Sequence, residues 1–169
     1  MPRFTSRLDF WYLCGAAEDA HVECDHDKHN YEFDMESISL GWLIEIQSIV
    51  KDLINKSVNI GRHSRNRTLY RLRFWHKDLA CALNDVKTSP EQIKTIDDDK
   101  QKQWIGGVFD AEGTATITGS NQPMLSIYSI EFDKISMLKE LLKKFLINSG
   151  IYLPKIGMFT NYLFQAGKI

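Results

Sequence analysis

No apolar run approaches the ~18 residues needed to cross a bilayer, and the opening MPRFTSR has no apolar core of the kind a secretory signal carries. Cysteine is scarce. Cys14, Cys24 and Cys81 are odd in number and lack CxxC spacing, so neither a disulfide framework nor a zinc ribbon is expected. These absences predict an intracellular protein with reduced thiols, whether cytoplasmic, nucleoid-associated or organellar. An excess of positive charge is missing too. The formal net charge is −1 over 169 residues, whereas nucleic-acid-binding domains are usually basic. With 43% hydrophobic and 25% charged residues the chain can bury a real core, as one domain or two very small ones.

The charge that is present is segregated along the chain. Residues 18–36 carry eight acids against the single Lys28, and residues 62–73 carry five arginines and a histidine with no acid. Local charge of this kind steers partners more than the net sum does.

The most informative stretch is WIGGVFDAEG at 104–113. It reads as an apolar helix with Gly106 and Gly107 in its middle, where another backbone can approach closely. Gly113 suits a left-handed helix stop. Glu112 then lies in the last turn, where the helix dipole disfavours a carboxylate unless a cation joins it. Residues 8–20, LDFWYLCGAAEDA, repeat the design: an apolar run, the small residues Cys14 to Ala17, then Glu18 and Asp19. Two such helices packed through their small faces bring two acidic ends together. Acids converging on divalent ions suit in-line phosphodiester hydrolysis.

IGGVFDAEG at 105–113 resembles the nine-residue motif of the LAGLIDADG homing endonucleases, and residues 8–20 resemble a degenerate second copy. The resemblance implies a compact monomer with two pseudo-symmetric halves. Each is an α-β-β-α-β-β-α unit, a mixed α+β fold with saddle-shaped antiparallel sheets on a long double-stranded DNA site. It implies Mg²⁺, two or three ions shared between the motif helices, and in-line attack by water leaving 5′-phosphate, 3′-hydroxyl and short 3′ overhangs. An intron-encoded origin follows from the same likeness. Two rivals share the scaffold: a maturase that binds intron RNA, and a DNA-binding regulator that does not cut.

The chain pattern fits two halves, residues 1–87 and 102–169, with a linker at 88–101. Helical spacing is read at 8–19, 40–56, 77–85 and 134–149, the last stopped by Gly150. Strands are read at 21–38 (two, around a polar turn at 25–30), 58–63, 67–75, 114–119, 124–132, 151–156 and 160–166. The second half is expected to lack the closing helix. In strand 67–75 the even positions Thr68, Tyr70, Leu72 and Phe74 face the core and the odd positions face outward. Trp11, Trp75 and Trp104 read as core anchors.

The resemblance assigns metal binding to Glu112. Its first-half partner depends on register. Matching Glu112 to Asp19 sets Gly113 on Ala20; matching the glycines sets Glu112 on Ala20, which has no side-chain oxygen. A working site needs the first register or a one-residue slip near the helix end. Asp19 is the preferred acid, with Glu18 as substitute. The backbone at Ala20 and Gly113 is expected to complete the metal shell. Asp110 is expected to cap or contact the partner helix rather than bind metal. Lys77 and Lys168 follow the last strands of the two halves, and the resemblance carries them over as residues that polarise the phosphate or organise water. The candidate DNA contacts are Arg62, Arg65, Arg67, Arg71 and Arg73 on a β-ribbon, with Lys28 and His29 in the polar turn. The second half offers Ser126, Ser129, Lys155, Thr160, Asn161 and Gln165. The acidic row Glu32, Asp34 and Glu36 opposes contact with a phosphate backbone. The group His21, Cys24, Asp25, His26, Asp27 and His29 matches no standard zinc spacing.

Overall fold

The computed structural model describes residues 4–63, 66, 68–117, 123–129, 131–152 and 162–167. It is built as a repeat. Helix α1 (Leu8–Ala16), strands β1 (His21–Asp25) and β2 (Asn30–Ser37), helix α2 (Leu40–Ile54), and strands β3 (Ile60–Arg62) and β4 (Tyr70–Trp75) form the first unit. Helix α3 (Lys77–Thr88) and a 3-10 helix (Pro90–Thr95) lead to the second. There α4 (Asp98–Glu112), β5 (Gly113–Ile117), β6 (Pro123–Ser129), α5 (Phe132–Lys144), β7 (Ser149–Tyr152) and β8 (Tyr162–Gly167) follow in the same order. Both sheets are antiparallel with identical topology, β1-β2-β4-β3 and β5-β6-β8-β7.

Local chemistry sets the helix starts. The Ser39 side chain accepts from Trp42 N, His76 Nδ1 from Leu79 N at 3.2 Å, and Asp97 Oδ1 from Lys100 N at 3.1 Å. Asn55, at φ 54°, ends α2 in the left-handed conformation. Helix α5 ends earlier than its apolar spacing predicts, with Leu146 at φ 60° beyond it; Gly150 is not its stop but pairs with Gln165 in the β7–β8 ladder. Gly113 also differs from expectation. Its backbone is extended (φ −79°, ψ 149°), and the space is what requires glycine, since a Cβ there would lie 2.2 Å from Phe109 O.

The core of the first unit lies between its sheet and α2, with Phe33, Met35, Leu72 and Phe74 facing Leu43, Ile46 and Val50. Helix α3 covers the same sheet over β1 and β2 through Leu79, Leu83 and Val86. The matching face of the second sheet leaves Ile117 and Leu125 exposed, while Ile127 is buried like Met35. Two expectations fail here. Trp75 is 60% exposed on the outer side of β4, with Arg73 against its ring, so only Trp11 and Trp104 anchor the core. And Cys24 of β1 is joined to Cys81 of α3 by a disulfide across 57 positions, so these two are not free thiols; Cys14 is free and buried. Pairs that distant leave no spacing signal.

Candidate active site and nucleic-acid interface

The two motif helices α1 and α4 cross in backbone contact. A Cβ on Gly15 would lie 2.0 Å from Trp104 O and 2.8 Å from Val108 N. A Cβ on Gly107 would lie 2.1 Å from Tyr12 O and 2.7 Å from Ala16 N. The two descriptions interchange under a two-fold operation that pairs Gly15 with Gly107. At the crossing, then, the glycine register holds. Gly106, by contrast, meets nothing nearer than the Tyr12 ring at 3.9 Å.

Beyond the crossing the first motif is one residue shorter: Gly15 to its first extended residue, Ala20, against Gly107 to Gly113. The difference is absorbed by a 3-10 helix, Ala17–Asp19. Three residues in a 3-10 helix rise about 1.5 Å more than in an α-helix, which is the rise of one α-helical residue. Ala20 (φ −92°, ψ 153°) and Gly113 (φ −79°, ψ 149°) therefore turn into the first strand alike. Asp19 and Glu112 each stand immediately before that first extended residue. The backbone thus absorbs the one-residue difference between the two motifs before the strands begin.

Around each acid the surroundings differ. Asp19 lines an open cleft of about 500 Å³ with Glu36, Glu45, Asp110, Trp42 and the start of α2, and among the described residues no lysine or arginine lines it. Asp110 accepts from the Tyr12 hydroxyl at 2.7 Å, and Trp42 Nε1 donates to that hydroxyl at 3.1 Å. Burial, and then Asp110, push the Tyr12 pKa well above the ordinary phenol value. Asp110 thus contacts the partner helix, as its place in the motif implies. On the other side Glu112 meets a cation, but the cation is Lys134 of α5. Its ammonium donates to Glu112 Oε1 at 2.8 Å and lies 3.1 Å from Glu18 Oε2. All three side chains are largely buried. Burial opposes the Lys134 charge, yet Glu18 and Glu112 outweigh it and its pKa rises; burial also pushes the Glu18 carboxyl up despite the lysine. Glu18, the substitute acid, is therefore the one tied to Glu112.

A second lysine, Lys87 of α3, donates to the carbonyls of Ala17 and Glu18 at 3.0 Å and of Ala20 at 2.7 Å. It caps the negative end of α1 and fixes the 3-10 turn. Its burial lowers its pKa. The Ala20 carbonyl, expected beside a metal, is thereby engaged by the Lys87 ammonium. Gly113 begins β5 opposite Ile127. Lys77 begins α3, with its ammonium over the Tyr31 ring at 5.2 Å. Lys168 lies outside the described residues. Sequence reasoning missed both lysines that matter. Lys134 left a signal, a cation in the first turn of a helix where the dipole disfavours it. Lys87 left none, since a lysine in a last turn is ordinary.

The outer face of the first sheet is a ladder of ion pairs. Arg73 Nε meets Glu32 Oε1 at 2.5 Å and Asp34 Oδ2 at 3.8 Å. Arg71 makes a two-pronged pair with Asp34, one contact at 2.7 Å, and reaches Glu36 at 3.7 Å; His63 lies 3.4 Å from Glu36. Glu23 and Asp25 extend the acidic side along β1. The arginine row is therefore not a free basic ribbon: cross-strand register sets Asp34 opposite Arg73 and Glu36 opposite Arg71. Arg62 stacks on the Tyr70 ring, Lys28 pairs with Asp25 at 2.9 Å, and His29 turns the hairpin at φ 52°. Ser126 is buried on the outer face of the second sheet, opposite Thr114 and Gln165. Arg65, Arg67, Lys155, Thr160 and Asn161 lie outside the described residues.

No protein-family model matches the chain. It is 33% identical over 91 residues to the probable cell division protein WhiA of Streptococcus equi subsp. zooepidemicus, a match that takes in 54% of this chain and 30% of that protein. The chain thus spans less than a third of that relative's length. Among solved structures, it is similar to I-DmoI in complex with DNA and Mn (TM-score 0.73, 18% identity, 94% of this chain and 89% of that one). It is also similar to the N-terminal LAGLIDADG domain of DUF199/WhiA (TM-score 0.64, 16% identity, 96% and 75%). The chain has the LAGLIDADG fold.

Proposed function

We propose that the chain binds double-stranded DNA across its paired sheets and hydrolyses phosphodiesters between its motif helices, with Asp19 and Glu112 as the metal-holding acids. One observation carries this reading. Although the first motif is a residue short, a 3-10 turn leaves Asp19, like Glu112, immediately before the first extended residue, Ala20 or Gly113. The likeness to I-DmoI, solved with DNA and Mn, supports the same substrate class.

The residues present suit divalent ions unequally. The Asp19 cleft offers hard carboxylate oxygens from Asp19 and Asp110 and no competing cation among its lining residues, a donor set that fits Mg²⁺. A bound ion would supply activated water and charge neutralisation at the phosphate. At Glu112 the Lys134 ammonium already supplies one positive charge beside the acid. Lys87 acts at one remove, holding the turn that presents Asp19.

A second reading, a DNA-binding protein that does not cut, is favoured by one feature: Lys134 bridges Glu18 and Glu112 at the point where a shared ion would neutralise them. The match to a cell division protein leans the same way. Incubation with the intron-less flanking gene, or with a plasmid library of random inserts, separates the two. A Mg²⁺-dependent double-strand cut is expected, absent with EDTA, and lost in both Asp19→Asn and Glu112→Gln while DNA binding persists. Specific binding in EDTA with no cut in Mg²⁺ would establish the second reading; cutting at the wild-type rate by both variants would remove these acids from the chemistry.

A further inference from the structure

We propose that Cys24, His26 and Cys81 form a redox-gated site for a borderline transition metal such as Zn²⁺, closed as a disulfide when oxidised and open to the ion when reduced. The three ligand atoms lie within 4.8 Å of one another, on the β1 end, the hairpin turn and α3. Spacing along the chain hides the group, because Cys81 comes from another element 57 positions away.

The geometry is close to a metal shell. Zinc binds thiolate at about 2.3 Å and imidazole at about 2.0–2.1 Å, so a tetrahedral angle sets sulfur and nitrogen about 3.5 Å apart. Cys24 Sγ and His26 Nε2 are 3.5 Å apart. Two zinc-bound sulfurs would stand about 3.8 Å apart by the same construction. The Cys24 and Cys81 Cα atoms, 5.0 Å apart, allow that separation by side-chain rotation. His26 has an orienting neighbour as well: the Tyr31 hydroxyl lies 3.4 Å from Nδ1, and the two rings meet edge to face. That contact leaves Nε2 toward the sulfurs, the outer-shell arrangement common to metal-bound histidines. His26 is exposed, so an ion has access and a water molecule can take the fourth place.

The interconversion balances. A dithiol reductant gives two electrons and two protons to the Cys24–Cys81 bond and itself closes to a disulfide. The ion then displaces both thiol protons to solvent and binds neutral imidazole. Either state fastens α3 to β1, and α3 carries Lys87, which holds the turn that presents Asp19. The site is independent of whether the motif acids cut DNA.

The test uses untagged full-length chain, reduced with a dithiol, freed of it under anaerobic conditions, and titrated with Zn²⁺ against a chromophoric chelator. One Zn²⁺ per chain is expected, with a rise in Tm; Co²⁺ in its place should give a thiolate charge-transfer band. Oxidised chain should bind none. His26→Ala, at an exposed turn position, should weaken Zn²⁺ at least tenfold, while His21→Ala should not. Reduced wild type that binds no stoichiometric ion, or His26→Ala with unchanged affinity, would overturn the assignment. Cys81→Ser should lose both the ion and the disulfide, and its retention of tight Zn²⁺ would do the same.

Discussion

At the scale of the residue, the decisive group is Lys134. A carboxylate ending a helix needs a cation, and the cation in place is an ammonium shared by Glu18 and Glu112. Lys134→Met leaves both carboxylates facing one another without the ammonium that bridges them, with Lys87 as the remaining nearby cation. Removing one partner of a buried pair costs about 3–5 kcal/mol, which the residual exposure here reduces to roughly 2–4 kcal/mol. Urea melts of the variant check this. The pH dependence has a definite sign. Lys134 binds its proton more tightly folded than unfolded, so its contribution is complete below the ordinary value of 10.5 and fades as pH rises through the higher folded value. The stability gap between wild type and Lys134→Met should stay flat from about pH 7 to 10 and narrow above that range. Divalent ions supply a further measurement. If the ammonium stands in for an ion, Mg²⁺ should raise the Tm of Lys134→Met and leave wild type nearly unchanged. A variant whose Tm ignores Mg²⁺ would show that these carboxylates do not form an ion site.

At the scale of the element, the crossing of α1 and α4 depends on two hydrogens. Gly15→Ala and Gly107→Ala each drive a methyl group into backbone atoms of the other helix at about 2 Å, and backbone cannot give as a side-chain tip can. Each should cost about 3 kcal/mol or more. Gly106→Ala meets only the Tyr12 ring at 3.9 Å and should gain up to about 1 kcal/mol from helix propensity. Chemical denaturation of the three variants side by side reads the contrast, and equal losses at 106 and 107 would mean that the crossing is set elsewhere. The elements with clean periodicity were legible in the sequence. Tyr31, Phe33 and Met35 alternate as β2, and Leu43, Ile46 and Val50 recur as the inner face of α2. The glycine-rich motif in α4 was legible for the same local reason. Illegible were the features made by contacts between distant positions: the Cys24–Cys81 bond, the reach of Lys87 to α1, and the pairing of Arg71 and Arg73 with their acidic neighbours. The one-residue slip was visible as a requirement. Its solution, three residues wound more tightly, needed the backbone.

At the scale of the whole molecule, charge segregation in the sequence becomes charge compensation in space. The acid-rich stretch 18–36 and the arginine-rich stretch 62–73 place β2 beside β4, so Glu32, Asp34 and Glu36 neutralise Arg71 and Arg73 on the outer face of the first sheet. A DNA interface built this way releases fewer counterions than its arginine count suggests. Affinity then falls with salt by a slope of about 0.9 per phosphate neutralised, and paired arginines contribute little to it. Asp34 sits at the centre of the ladder, in contact with both Arg71 and Arg73. Asp34→Asn should release part of both guanidinium charges without changing the side chain's size. Its DNA affinity at low salt should rise, and the plot of log affinity against log salt should steepen by about one unit. Fluorescence anisotropy on the same duplex across a salt series measures both quantities. An unchanged slope would mean that this sheet stays clear of the phosphate backbone and that binding is carried by the second sheet, whose outer face exposes Thr114 and Thr116 and no ion-pair ladder among the described residues.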